Sequence, residues 1–156
     1  MQVRPIHILL VEDNPGDIRL AREAFKEYKI QNTFSVVTDG EEALAYLRRQ
    51  EPFHDSPRAE IIFLDLNLPK LDGIEVLNEI RKDAALADIP VVILTASALD
   101  QQVLRQNDVV ADCYVVKPLT ADRYLEAIRC FPHLGLSIIS TRGNTTRNGT
   151  LKSNTV

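Results

Sequence analysis

Residues 61–73 read IIFLDLNLPKLDG, and this stretch decides the architecture. Ile61-Ile62-Phe63-Leu64 is a short apolar run with β-branched residues, which predicts a strand buried on both faces. The run ends on a carboxylate, Asp65. A proline follows at position 69, and Asp72 with Glu75 three residues later has the spacing of a helix capping box. The stretch is one βα unit with an acid at the strand's carboxyl end.

The same unit recurs on either side. Ile6–Val11 (IHILLV), Val91–Leu94 (VVIL) and Cys113–Val116 (CYVV) read as further buried strands, and Thr33–Val37 (TFSVV) as a weaker one. Between them, apolar residues fall at helical spacing: Ile18, Ala21, Phe25 and Tyr28; Ala43, Leu44 and Leu47; Ile74, Leu77 and Ile80; Tyr124, Ile128 and Phe131. Ala98–Asn107 is the least periodic helix candidate. Asn14-Pro15-Gly16-Asp17 offers a cap, a first-turn proline and an acid, and Asp39 with Glu42 repeats the cap-then-acid spacing. Five β-α alternations predict an α/β domain with a doubly wound parallel sheet and right-handed crossovers, over residues 1–131. Residues 132–156 form an extension. Pro132–Ile139 is partly apolar and expected to pack as an extra strand or to cover a helix, whereas Ser140–Val156 is expected to be disordered.

Composition narrows the function. The 156 residues are 45% hydrophobic and carry a formal net charge of -4. Three basic residues and no acid lie after position 139, so the body holds 15 basic and 22 acidic residues. An acidic body argues against nucleic acid as a partner. Two cysteines are too few for a disulfide framework and read as small apolar fillers. No apolar stretch approaches the roughly 18 residues that span a bilayer, and the start lacks the pattern of a signal peptide. The expected address is the cytoplasm, with no membrane partner.

Ligands of an open parallel sheet bind beyond the carboxyl ends of its strands. The residues placed there are Glu12 and Asp13 after the first strand, Asp65 and Asn67 at the third, Thr95 at the fourth and Lys117-Pro118 at the fifth. Three carboxylates on one rim repel one another unless a lysine or a cation compensates them. Hard oxygen donors with coordination sites to spare suit Mg²⁺.

Taken in order, ILLVEDNPGD, IIFLDLNLPKLDG, VVILTAS and CYVVKP closely resemble the response-regulator receiver domain of two-component signalling, from Ile6 to Phe131. DNPGD and the longer RRQEPFHDSPRAE further resemble single-domain regulators associated with phytochrome-like histidine kinases. The resemblance implies a flavodoxin-like (βα)5 fold with strand order 2-1-3-4-5. It implies Asp65 as phosphoacceptor and Mg²⁺ held by Asp13, Asp65 and the Asn67 carbonyl, with Glu12 acting through water. Lys117 would pair with Asp65 at rest and then with the phosphoryl group, whose other oxygens would meet Thr95 and the Ala96 N–H. Tyr114 would be the switch aromatic that follows Thr95 inward, and Lys117-Pro118 a cis bond.

The partner implied is a sensor histidine kinase. With no length left after Phe131 for an output domain, the chain is expected to act by binding and not as an enzyme. A homodimer is expected through the fourth helix, fifth strand and fifth helix, on a face with Tyr114, Tyr124, Phe131 and the segment Leu134–Ile139. Two rivals share parts of the pattern. A flavodoxin-like electron carrier would be repelled at its phosphate by Glu12 and Asp13. A haloacid dehalogenase-type phosphatase usually has a second acid where Asn67 stands.

Overall fold

The computed structural model describes residues 5–27, 31–106 and 111–134, without the side chains of residues 101, 103 and 106. Tyr28, Asn107, most of the Leu134–Ile139 segment and the polar tail lie outside the described residues.

The elements are β1 (Ile6–Val11), α1 (Pro15–Glu27), β2 (Asn32–Val37), α2 (Gly40–Leu47), β3 (Ile61–Asp65), α3 (Gly73–Lys82), β4 (Val91–Thr95), α4 (Leu99–Gln106), β5 (Cys113–Val116) and α5 (Ala121–Arg129). All strand pairs are parallel and the order is β2-β1-β3-β4-β5, as the resemblance implies. The capping signals also hold. Asp72 and Glu75 close a reciprocal capping box at α3, and Asn14 Oδ1 accepts the Asp17 N–H at the start of α1. At α2 the Asp39 side chain caps Glu42, but Glu42 reaches back one residue further, to the Thr38 N–H.

Alternation along the strands divides the interior into two layers. Ile8, Leu10, Phe63, Val92 and Leu94 face Phe25 of α1 and Tyr124 and Ile128 of α5. Leu9, Val11, Ile62, Leu64 and Ile93 face Leu44, Leu77, Ile80 and Leu104 on the other three helices. Three of the strands, β1, β3 and β4, are buried along their whole length. The fifth was expected to be so too, but only Val115 of β5 is buried, because β5 is an edge with a single neighbour.

A further expectation is corrected. Tyr124 has no exposed surface and Phe131 is buried, so neither lies on a docking face. Tyr124 is a core ring against Phe25 and Phe63, with its hydroxyl accepting from Asn32 Nδ2 at 3.0 Å. Pro132–Leu134, the described part of the apolar extension, forms a 3₁₀ turn that packs on the body and buries Leu134 in the α1–α5 layer.

Candidate phosphoryl-transfer and metal site

Strand register builds the site. Val11 is paired with Leu64, Asp65 with Leu94 and Thr95 with Val116. The residues at or just past these pairs, Glu12, Asp65, Thr95 and Lys117, therefore share one rim. The Lys117 N–H continues the ladder to the Thr95 carbonyl at 2.7 Å. The Lys117-Pro118 bond is cis, as expected.

The ammonium sits at the centre. Lys117 Nζ is 2.9 Å from Glu12 Oε1, 3.0 Å from Asp17 Oδ2 and 3.2 Å from Asp65 Oδ1. The pair with Asp65 matches the expectation. Asp17 is a residue that sequence reasoning used only as a first-turn helix acid; its signal was its place one turn after Asn14, above the strand ends. Burial works against the charged lysine, but the ion pair with Glu12, the hydrogen bond to Asp17 and the Asp65 charge outweigh it and hold its pKa above the ordinary value. Burial pushes the Glu12 carboxyl up to about 7; Lys117 opposes the rise and the Asp65 charge adds to it.

One ammonium does not satisfy this cluster. Glu12, Asp13 and Asp65 each place a carboxylate oxygen within 4.8 Å of the others. Glu12 Oε2 accepts the Asn14 N–H, but Oε1 is buried with no hydrogen bond, facing Lys117 only as an ion pair. An all-oxygen donor set with a buried, under-satisfied carboxylate oxygen fits a hard divalent cation. Asp13 is exposed and Asp65 buried, so the cluster has one side open to solvent.

The loop after β3 is fixed by close backbone approach. A Cβ on Gly73 would lie 2.4 Å from the Asp65 carbonyl oxygen and 2.7 Å from Leu66 Cα. Glycine lets α3 dock directly on the end of β3, and the Gly73 N–H donates to the Leu66 carbonyl at 2.9 Å. The exposed Asn67 turns back over the acid, its N–H donating to Asp65 Oδ1 at 3.3 Å. On the other side, Arg123 of α5 donates to the Val116 and Pro118 carbonyls that flank Lys117.

Thr95 and Tyr114 are both engaged away from the acidic cluster. The buried Thr95 hydroxyl is hydrogen-bonded to Asp100 Oδ2 in the first turn of α4, and Ala96 beside it is exposed. The Tyr114 ring is half-buried, with the Arg105 guanidinium 5.6 Å from its centre and its hydroxyl accepting the Ala111 N–H. Structure thus brings together Glu12, Asp13, Asp65, Asn67 and Lys117, with Thr95 and Ala96 on the same rim, and leaves Tyr114 directed toward α4.

A parallel sheet whose rim concentrates a buried aspartate, two further acids and a lysine defines a phosphoacceptor receiver. Residues 8–129 match the response regulator receiver domain, and the chain belongs to that family. It is 43% identical to the response regulator Rcp1 of Synechocystis sp. over 113 residues, which is 72% of this chain and 77% of Rcp1. It superposes on the phosphorylated cyanobacterial phytochrome response regulator RcpA with a TM-score of 0.67 and 36% identity, covering 96% of this chain and 99% of RcpA. It superposes on the Mn²⁺-bound form of response regulator Rcp1 with a TM-score of 0.69 and 40% identity, covering 81% and 94%. No helix among the described residues is long and apolar enough to cross a membrane.

Proposed function

We propose that Asp65 accepts a phosphoryl group from a sensor histidine kinase, of the phytochrome-like class its relatives' names suggest, and that the chain acts by binding and not by catalytic turnover. The observation that carries this reading is the position of Lys117 Nζ, 3.2 Å from a buried Asp65 carboxylate at the rim of the acidic cluster.

Asp13, Asp65 and the Asn67 carbonyl would hold Mg²⁺, with Glu12 behind them; the ion supplies positive charge for the equatorial oxygens of the transferring group. Asp65 is the nucleophile: one carboxylate oxygen attacks phosphorus as the leaving group departs, giving an acyl phosphate. Lys117 then leaves the carboxylate for a phosphoryl oxygen, supplying charge where it develops. Thr95 exchanges Asp100 for a second oxygen, and the Ala96 N–H meets the third. Freed space beneath Thr95 admits the Tyr114 ring, so a local charge is read out on the surface of α4, β5 and α5. That surface is the proposed kinase, target or homodimer face. Leu99 at the start of α4, 69% exposed, supports an apolar contact there.

The test uses acetyl phosphate with Mg²⁺. The expected result is one acid-stable, base-labile phosphoryl group per chain, absent in Asp65→Asn. Sustained turnover of phosphate esters would instead establish a phosphatase, and labelling that survives Asp65→Asn would remove the assignment of the nucleophile.

A further inference from the structure

The sequence reads the two cysteines as small apolar fillers, and the fold brings them together. Cys113 opens β5 and Cys130 is the C-cap of α5, and their Sγ atoms lie 3.7 Å apart. The two differ in access. Cys130 is exposed, with its Sγ 3.5 Å from the Glu126 carbonyl, while Cys113 is half-buried against the α1–α5 layer. A disulfide needs about 2.05 Å between sulfurs, so the approach required is roughly 1.7 Å. Cys130 stands exposed at a helix end, where a change of χ1 moves its Sγ without moving the backbone.

We propose that Cys113 and Cys130 form a reversible redox site, closing to a disulfide that staples the end of α5 to the start of β5. The oxidant is a hydroperoxide. The Cys130 thiolate attacks its terminal oxygen; the O–O bond breaks, leaving a sulfenic acid on Cys130 and releasing water or an alcohol. Cys113 Sγ then attacks Cys130 Sγ. The S–S bond forms as the S–O bond breaks, and the Cys113 proton leaves with the hydroxyl as water. Two thiols thus give up two electrons to the peroxide. Burial, reinforced by the neighbouring thiol, pushes the Cys113 thiol up to about 12, which makes the exposed Cys130 the sulfur that meets the oxidant first. The staple would lie at the edge of the face that includes Tyr114, and it would form with or without phosphorylation of Asp65.

The experiment treats the full reduced chain with hydrogen peroxide in native buffer and follows alkylatable thiols, intact mass and non-reduced peptide maps. Both thiols should disappear together, with the mass of the monomer less its two thiol hydrogens and a peptide crosslinked through Cys113 and Cys130. Dithiothreitol should restore the thiols. In Cys130→Ser the remaining Cys113 should stay alkylatable, and in Cys113→Ser the remaining Cys130 should advance to sulfinic acid. The thermal midpoint should rise on oxidation and fall back on reduction. Over-oxidation of Cys130 in the native chain while Cys113 stays free would overturn the proposal, as would a disulfide that forms only in urea. A lower midpoint in the oxidised chain would show that the native geometry rejects the bond.

Discussion

Gly73→Ala separates helix propensity from tertiary packing at the phosphoacceptor strand. In an isolated helix the change is favourable by up to about 1 kcal/mol. Here the added Cβ meets backbone on the end of β3, at 2.4 Å from the Asp65 oxygen and 2.7 Å from Leu66 Cα. Neither atom is the far end of a flexible side chain, so α3 or the end of β3 must retreat by roughly 1 Å to reach ordinary contact. Such overpacking costs about 1–3 kcal/mol. Loss of the 2.9 Å Gly73–Leu66 hydrogen bond adds about 1 kcal/mol. Net of propensity, the expected destabilisation is about 1–3 kcal/mol, a fall in midpoint of roughly 3–10 °C for a chain of this size. Urea denaturation should show the loss as a lower midpoint at unchanged slope. Acetyl phosphate labelling should slow by at least about tenfold, because a displacement near 1 Å at a reacting group costs up to about 100-fold. Gly16→Ala is the control: its Cβ would meet only the Asn14 side-chain oxygen, at 3.2 Å, and its effect should stay within about 0.5 kcal/mol. Equal stability of the two variants would refute the argument from close approach.

Two other perturbations test the buried charges. Lys117→Met removes the ammonium from buried Glu12 and Asp65, which should cost about 2–3 kcal/mol in chelator after discounting for the lysine's partial exposure and for proton uptake by Glu12. Millimolar Mg²⁺ should return part of that stability in denaturant titrations, and unchanged stability in chelator would show that the ion pairs contribute nothing. His7 is buried between the hydroxyls of Thr33, Ser35 and Tyr46, with Glu60 on its backbone N–H. Burial lowers its pKa below 6.5, and Glu60 only partly opposes this. As pH falls from 6.5 toward the folded-state value, the unfolded chain takes up the proton and the folded chain does not, so stability should decline in that window. His7→Gln should flatten that part of the curve, and a ring titration by NMR above 6.5 in the folded chain would contradict the sign.

Much of the site was readable because βα folds bring strand ends together. Once IIFLD, IHILLVED, VVILT and CYVVK are recognised as parallel strands, their terminal polar residues must share a rim, whatever the helices between them do. Asp65, Glu12, Asp13, Thr95 and Lys117 follow from that alone. Asp17 did not, because a first-turn acid is already explained by helix electrostatics and nothing local marks a partner 100 residues away. Arg123 carries no local mark either: its contacts are backbone carbonyls, which have no residue signature. The sequence pattern offers Tyr124 and Phe131 to a docking face and packing makes them core, since helical periodicity identifies a stripe but not which way it points.

The sequence by itself determined the class of fold, the strand ends and the caps, all of which depend on period and on residues three or four apart. Tertiary structure decided which strands are edges, how Lys117 is shared among Glu12, Asp17 and Asp65, and that Thr95 is tied to Asp100. It also decided that Cys113 and Cys130 meet. Each of these rests on a distance between elements, and such distances are set by packing and register across the sheet, which local pattern does not encode.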